Sequence, residues 1–192
     1  PRAAGFLARL AEVRQAAGDR PGAVAALEDL TRLSPDDVAA GERLIALLDA
    51  QGDKTRAADE CLRLAERCLA RDDHDRAEAL LKRRQALTPD DPSTAERLAR
   101  LYEKTGAGDQ AVAQYLAACE AYRARRQNAR AIAALEALKA FAPDSADGRR
   151  RLIELLRAEG RTDKAIAECL EMCRIAFTAG NAQAGLEWTE QA

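Results

Sequence analysis

The sequence predicts an all-α fold, a right-handed α-solenoid of about eleven helices, and two observations lead to this prediction. Pro35, Pro89 and Pro143 are equally spaced along the chain, which marks an internal repeat with a period of about 54 residues. The composition is 47% hydrophobic and 32% charged with only 4% aromatic residues, which favours helices over strands. Repeats of this length build solenoids, in which each unit buries its apolar face against its neighbours.

Other residues share this period. The block Glu42-Arg43-Leu44 recurs as Glu96-Arg97-Leu98 and as Arg150-Arg151-Leu152. The same offset relates Gly52, Gly106 and Gly160, and also Ala57, Ala111 and Ala165.

Each period contains three predicted helices, named A, B and C in chain order. Helix A covers about 38–50 and ends near Gly52, because glycine adopts left-handed backbone angles at little cost. Helix B follows Asp53 to about residue 71, and its apolar stripe at helical spacing predicts a buried face. That stripe consists of Ala57, Cys61, Leu64, Ala65 and Cys68. Helix C spans about 75–87 and ends before Pro89, since proline cannot continue a helix.

The later periods and the start of the chain follow the same plan. The second helix A begins at Ser93, and Ser93 with Glu96 has the spacing of a capping box. Further helices are expected at about 93–105, 109–126 and 128–140, and then at about 147–159, 163–179 and 181–191. Residues 3–17 match helix B and residues 21–33 match helix C.

These helices predict one solenoid over residues 1–192. Its repeat units lie at about 1–37, 38–91, 92–145 and 146–192, of which the first and last are partial. Because the chain opens and stops inside the pattern, we expect it to come from a longer repeat protein.

Charge and hydropathy argue against several classes of function. The net charge of −2, from 30 basic and 32 acidic residues, gives no overall attraction to nucleic acid or to an anionic membrane. No apolar run reaches the roughly 18 residues of a membrane helix, and no signal peptide is recognisable. We therefore expect a cytoplasmic protein with no membrane insertion and no nucleic-acid partner. The high content of Ala, Arg and Asp is typical of a GC-rich bacterial coding sequence.

The helix-packing residues resemble the tetratricopeptide repeat family, whose helix pairs recur at about 34 residues. One matching set is Leu98, Ala99, Tyr102, Ala111, Tyr115 and Ala118. A second is Cys61, Leu64, Ala65, Cys68, Ala77, Leu81 and Pro89. Shifting the family template alternately by about 34 and about 20 residues covers nearly the whole chain. Helix B then serves as the second helix of one unit and the first helix of the next.

The resemblance implies a scaffold or adaptor that holds a peptide, a helix or a folded protein against the concave face made by the A helices. Some members clamp a C-terminal carboxylate with paired Asn and basic residues, but Asn occurs here only at 128 and 181, at the starts of C helices. A protein-interaction scaffold without that clamp is the leading hypothesis. The alternative is an architectural protein that self-associates through its solenoid ends, near Leu186 and Trp188.

Charged residues recur on the face of the A helices that we expect to be exposed. They are Glu42, Arg43, Glu96, Arg97, Arg100, Arg150, Arg151 and Glu154. One interpretation is a solvated surface with intrahelical ion pairs of about 0.2–0.5 kcal/mol each. The other is a row of guanidinium groups that bind carboxylates of an acidic partner protein, with Arg43, Arg97, Arg100, Arg150, Arg151 and Glu154 as candidate contacts.

A second basic patch lies at the turn between helices B and C of the second full period. It contains Arg123, Arg125, Arg126 and Arg130, and no acidic residue occurs from 121 to 135. These arginines either bind an acidic protein tail or a phosphate, or are solvated cations favoured at a helix C-terminus. RNA binding normally adds stacking aromatic residues, and only Tyr122 is close by, at a position that predicts a core residue.

No motif for catalysis, cofactor or metal is recognisable, so we expect no enzyme activity, no cofactor and no metal site. The acidic clusters, such as Asp36-Asp37, Asp72-Asp73 and Asp90-Asp91, fall where helices begin and are expected to act as N-caps. The five cysteines all fall on helix B and are expected to be core residues in a reducing compartment. They are Cys61, Cys68, Cys119, Cys169 and Cys173.

Overall fold

The computed structural model describes residues 2–191, with side chains up to Thr189. Eleven α-helices form within that range, which confirms the all-α prediction and its helix count. They are α1 (Arg2–Ala16), α2 (Arg20–Leu33), α3 (Val38–Ala50), α4 (Lys54–Leu69), α5 (His74–Leu87), α6 (Pro92–Thr105), α7 (Gly108–Ala124), α8 (Asn128–Phe141), α9 (Ala146–Ala158), α10 (Thr162–Thr178) and α11 (Ala182–Gln191).

The chain divides after Thr94 into two compact units, called unit 1 and unit 2. In unit 1, each of the helices α1 to α4 packs against the helix that follows it in sequence. Large apolar side chains from these helices are almost completely buried, among them Leu27, Ile45, Leu64 and Leu81. This sequential packing is the arrangement of an α-solenoid, in which a helix buries its apolar face against its chain neighbours.

Ion pairs in unit 1 join helices that are two apart in the chain. Arg43 of α3 contacts Glu12 of α1 at 3.2 Å, and Arg56 of α4 pairs with Glu28 of α2. Arg83 of α5 lies 3.7 Å from Asp49 of α3. Within unit 1, α1, α3 and α5 therefore lie side by side, and α2 lies beside α4.

Unit 2 is built in the same way. Helices α7 to α11 pack in sequence around one core that includes Tyr115, Leu135, Ile153, Met172 and Trp188. Contacts again join alternate helices. Arg151 of α9 pairs with Glu120 of α7, and Lys139 of α8 contacts Glu168 of α10 at 2.7 Å.

In the described part of the chain, seven helix ends are closed by one backbone motif, in which a residue with positive φ turns the chain out of the helix. In the motif after α3, the Gly52 amide donates to the Asp49 carbonyl and the Asp53 amide donates to the Leu48 carbonyl, a Schellman motif. Five of the seven left-handed residues are glycine, and the other two are Asp72 (φ 56°) and Arg126 (φ 57°). The seven are Gly18, Gly52, Asp72, Gly106, Arg126, Gly160 and Gly180.

Acidic side chains begin several helices, as the sequence predicts. The carboxylates of Asp37 and Asp73 accept hydrogen bonds from the amides of Ala40 and Arg76, at 3.0 Å and 3.3 Å. Such N-caps satisfy backbone donors that have no partner inside the helix.

The start of α6 differs from the expected capping box. The helix begins at Pro92, one residue earlier than expected, and Asp91 accepts from the Ser93 amide at 3.1 Å. Glu96 contacts Arg100 and Tyr122. Proline suits the first helical position because its missing N–H would lack an intrahelical partner anyway. The Ser93 and Glu96 pattern was therefore misleading, and the aspartate before the proline supplies the cap.

Arg126 offers a stability prediction. Replacing Arg126 with glycine should raise the free energy of unfolding by about 0.5–1 kcal/mol, because a left-handed backbone strains a residue that has a Cβ atom. The matched control is Gly160→Ala, at φ 70° with open space around the added Cβ, which should lower that free energy by about 1 kcal/mol. Urea denaturation measures both, and an Arg126→Gly protein less stable than the wild type would contradict the prediction.

Candidate protein-interaction surface

Arg43 is the candidate contact residue of unit 1. It projects from the middle of α3, is half-buried, and its Nη1 lies 3.2 Å from Glu12 Oε1 on α1. Glu42 beside it is exposed. Because the guanidinium side chain is 38% exposed and its partner carboxylate 61% exposed, this ion pair contributes at most about 1 kcal/mol.

On α9 of unit 2, three candidate residues share one exposed region. Arg151 pairs with Glu120 of α7 and with Asp147 of its own helix at 3.2 Å. The guanidinium of Arg150 lies over the indole ring of Trp188 on α11, 5.9 Å from the ring centre, the geometry of a cation–π contact. Glu154, one turn further on, is exposed. Arg150, Arg151 and Glu154 thus lie within about one helical turn of each other on α9.

The candidate residues of α6 form a separate group. Arg100 is exposed and its Nη2 lies 2.6 Å from Glu96 Oε1, an ion pair within the helix. Arg97 is exposed as well. The contacts of Arg151 and Arg150 place α7 and α11 on the two sides of α9, so the α6 residues do not continue the α9 row.

The second basic patch surrounds the turn between α7 and α8. Arg123, Arg125, Arg126 and Arg130 are all exposed. The guanidinium of Arg130 lies 6.0 Å from the ring centre of Tyr122, whose hydroxyl donates to Glu96 Oε2 at 2.9 Å. Tyr122 is only 3% exposed, which confirms its prediction as a core residue.

Two buried arginines were not expected from the sequence. Arg84 at the end of α5 is 7% exposed, with Nη2 2.6 Å from Asp91 and Nη1 bonded to the hydroxyls of Ser93 and Thr94. Hydrogen bonds from Ser93 and the charge of Arg84 outweigh burial, which would raise the pKa of Asp91, so that its pKa lies below the usual value.

Arg149 at the start of α9 is 5% exposed. Its guanidinium donates to the Glu168 carboxylate and to the Pro143 carbonyl, both at 2.9 Å.

The sequence does carry one signal for the burial of Arg84. The backbone carbonyls of Leu30 and Leu138 accept the hydrogen bond that ends α2 and α8, and the carbonyl of Arg84 does the same for α5. An arginine therefore stands at a position that leucine holds in the other two helices.

The cysteines and Trp188 belong to the cores. All five cysteines are buried thiols, and burial raises the pKa of Cys61 and Cys119 to about 11, which keeps them protonated at neutral pH. Trp188 is 6% exposed within the core of unit 2. The expectation that Trp188 offers an open apolar end is therefore wrong, because α9 and its Arg150 cover the ring. Leu186 is 54% exposed, as expected.

Within residues 2–191, no group of three or more His, Cys, Asp and Glu residues is placed to hold a metal ion. In the same part of the chain, none of the helices has the length and hydropathy that crossing a membrane requires.

Helices packed in chain order within each unit, joined by ion pairs between alternate helices, define a helical-repeat protein. A family model described as tetratricopeptide repeat matches residues 8–73 and 116–182, more than half of the chain. The chain belongs to the tetratricopeptide repeat family, which confirms the resemblance in its sequence. Proteins of this family generally act as protein-interaction scaffolds.

The matched segments run from within α1 through α4 and from within α7 through α10, two helix pairs each. No curated protein matches the chain by sequence. Similar solved structures include MamA protein, at 15% identity and a TM-score of 0.33, with 88% of this chain and 89% of that chain covered. BtubC (BKLC) from P. vanneervenii is 14% identical at a TM-score of 0.44, with 99% and 88% covered. A tetratricopeptide repeat protein from Parabacteroides merdae is 11% identical at a TM-score of 0.31, with 100% and 92% covered.

Proposed function

We propose that this chain is a non-enzymatic scaffold that binds an acidic protein partner through the exposed arginines of its A helices. The observation that carries the proposal is the group on α9 in which the exposed Arg150 and Glu154 lie within about one turn of the partly exposed Arg151. Arg43 of α3 offers a similar contact in unit 1. Arg97 and Arg100 of α6 form a separate contact group and are secondary in the proposal.

A partner's carboxylates can replace the carboxylates that these arginines contact within the chain. The partly exposed ion pairs of Arg43 and Arg151 are worth about 1 kcal/mol or less each, so little is lost when a partner carboxylate takes the place of Glu12 or Glu120. A guanidinium group can then form two parallel hydrogen bonds with the new carboxylate. The contact of Arg150 with Trp188 holds one guanidinium in a fixed place, which reduces the entropy lost on binding.

The same proposal includes a repeat unit of about 54 residues and one array of such repeats over residues 1–192. Helices α3, α6 and α9 begin at equal intervals, at Val38, Pro92 and Ala146. The seven left-handed residues follow one another at alternating long and short intervals, of about 34 and about 20 residues. Both regularities support a family template that advances in alternating long and short steps. The buried thiols support the cytoplasmic location expected from the sequence.

A second candidate function is self-association, which one observation favours. Phe6 and Val13 of α1 are both 65% exposed and lie seven residues apart, on one side of the helix. Exposed apolar side chains in such a row are suited to contact with another copy. An acidic partner remains the first candidate because the guanidinium groups on α9 are suited to bind carboxylates specifically.

The arginine surface can be tested with a charge reversal. The double variant Arg150→Glu and Arg151→Glu should reduce recovery of a stoichiometric partner from source-organism lysate at least about tenfold, because each arginine then repels the partner's carboxylates. The measurement is capture from nuclease-treated lysate at low and high salt, with quantification by mass spectrometry.

The matched control reverses two exposed arginines elsewhere in unit 2, Arg161 and Arg174. It changes the net charge equally and should leave recovery unchanged. Equal loss in both double variants would attribute binding to overall charge, and unchanged recovery in both would remove the α9 surface from the proposal. Recovery of further copies of the chain alone would favour self-association.

A further inference from the structure

Unit 1 contains a cavity of about 170 Å³ where the loop before α3 meets α4 and the start of α5. Its floor includes the apolar side chains of Val38, Leu64 and Cys68, and its rim carries Arg67, Arg71 and Arg76. Pockets for whole small molecules usually measure about 300–1,000 Å³. This cavity therefore has room for one side chain rather than for a cofactor.

The corresponding place in unit 2 is filled by a tyrosine. Cys68 and Tyr122 each lie four residues before a left-handed residue, Asp72 in one case and Arg126 in the other. The ring of Tyr122 is buried under the Arg130 guanidinium, and its hydroxyl donates to Glu96 at 2.9 Å. In unit 1, the smaller side chain of Cys68 lines the cavity at this repeat position.

The groups that surround Tyr122 have counterparts around the cavity. Arg76 follows Asp72 by four residues, as Arg130 follows Arg126, and Glu42 is the fifth residue of α3, as Glu96 is of α6. Arg76 lines the cavity together with Cys68, whose pKa is raised by burial. A second opening of about 220 Å³, lined in part by Glu42 and Arg76, adjoins the cavity through Arg76.

The charges on the rim favour a neutral group over an anion. Arg71 lies 2.6 Å from Asp36, and Arg76 lies 3.5 Å from Asp73. Two of the three arginines are thus already balanced by carboxylates, which leaves their planar faces available to an aromatic ring. A carboxylate entering the cavity would meet Asp36 and Asp73 as well as the arginines.

Leu64 lines the cavity beside Cys68. It lies four residues before Cys68, where Ala118 lies four residues before Tyr122. Its methyl groups lean against Gly41, where a Cβ would lie 3.0 Å from one of them. The pair of Leu64 and Cys68 thus stands where unit 2 has Ala118 and Tyr122.

We propose that this cavity binds a tyrosine side chain of a partner polypeptide, with the ring against Arg76 and the hydroxyl donating to Glu42. The occupied site would reproduce the contacts that Tyr122 makes in unit 2. The proposal rests on the interaction function proposed above but not on the arginines of α9.

The test uses N-acetyl-tyrosinamide as a probe and the amide resonances of the isotope-labelled chain as the readout. The probe should shift the resonances of Cys68, Arg71 and Arg76 saturably. N-acetyl-phenylalaninamide should bind about fivefold more weakly, since it lacks the hydroxyl that donates to Glu42. Glu42→Gln should reduce the preference for the tyrosine probe, and N-acetyl-alaninamide should not bind.

A filled-cavity variant gives the decisive comparison. Leu64→Ala with Cys68→Tyr recreates the Ala118 and Tyr122 pair and should abolish probe binding while the fold is kept. Equal shifts with all probes, shifts outside the cavity, or preferential binding of N-acetyl-glutamate would overturn the proposal. Because no partner protein is needed, such a failure leaves the α9 surface and its own test unaffected. If the double variant does not fold, the Glu42→Gln comparison decides alone.

Discussion

Replacing Arg84 with alanine should lower the free energy of unfolding by about 3 kcal/mol, as measured by urea denaturation followed by circular dichroism. The guanidinium joins the end of α5 to the start of α6, through Asp91, which precedes the helix, and through Ser93 and Thr94 in its first turn. Without it, the carboxylate loses its cation, the buried Thr94 hydroxyl loses a donor, and a cavity opens at a position only 7% exposed.

Arg84→Leu is the matched variant, because Leu30 and Leu138 hold the same place at the ends of α2 and α8. It keeps the apolar volume and should cost less than half as much as the alanine variant. The Nε of Arg84 is buried without a hydrogen-bond partner among the described residues, so the leucine also removes a desolvation cost. Equal losses in the two variants would show that the polar contacts of Arg84, and not its volume, stabilise this end of α5.

The same contacts give a pH dependence. Since the pKa of Asp91 is lowered in the folded state, its contribution is complete above the ordinary value of about 3.9 and is lost as pH falls through the lower folded value. The stability difference between the wild type and Asp91→Asn should therefore shrink toward pH 2. A difference that stays constant with pH would contradict the role of the Asp91 carboxylate.

Replacing Glu168 with alanine should lower the free energy of unfolding by about 3–4 kcal/mol. Its carboxylate lies 2.9 Å from Arg149 and 2.7 Å from Lys139, and thus balances two cations between α8, α9 and α10. Removing it leaves the Arg149 charge buried at 5% exposure, with the Pro143 carbonyl as a remaining acceptor. An uncompensated buried charge costs more than the ion pair itself contributes.

Lys139→Ala is the control for this network. The lysine side chain is 33% exposed, so its loss should cost about 1 kcal/mol or less. Arg149→Met with Glu168→Leu removes both buried charges and should recover most of the stability lost in Glu168→Ala. The same urea experiment measures all three, and a Glu168→Ala loss no greater than that of Lys139→Ala would show that Arg149 finds other compensation.

The helix pattern could be predicted from the sequence because the residues that begin and end each helix lie at its own ends. Helix α3 has the bounds expected for the first helix A, since Asp37 and Gly52 mark its two ends. The family resemblance follows from the same kind of signal, because the small and large residues of α6 and α7 are core residues in the structure.

The buried charges could not be predicted from local patterns. Arg149 looks like its neighbours Arg150 and Arg151, and its partner Glu168 lies 19 residues away on another helix. The burial of Trp188 likewise depends on the contact between α11 and α9 rather than on its own helix. The recurrence of arginines along the sequence also does not show which of them lie side by side. Their neighbours depend on helix packing, in which α7 and α11 flank α9 and α6 does not.

The ion pairs between alternate helices have a consequence for folding kinetics. Glu12 with Arg43, Glu28 with Arg56, Lys139 with Glu168 and Glu120 with Arg151 are separated by 31, 28, 29 and 31 residues. Each contact therefore closes a chain loop of nearly the same modest length, and closure entropy grows only slowly with length. We expect folding to start at any adjacent helix pair of either unit and to extend by one helix at a time. Its rate should be set by the closure of one such loop and should change little when further helices of the same kind are added.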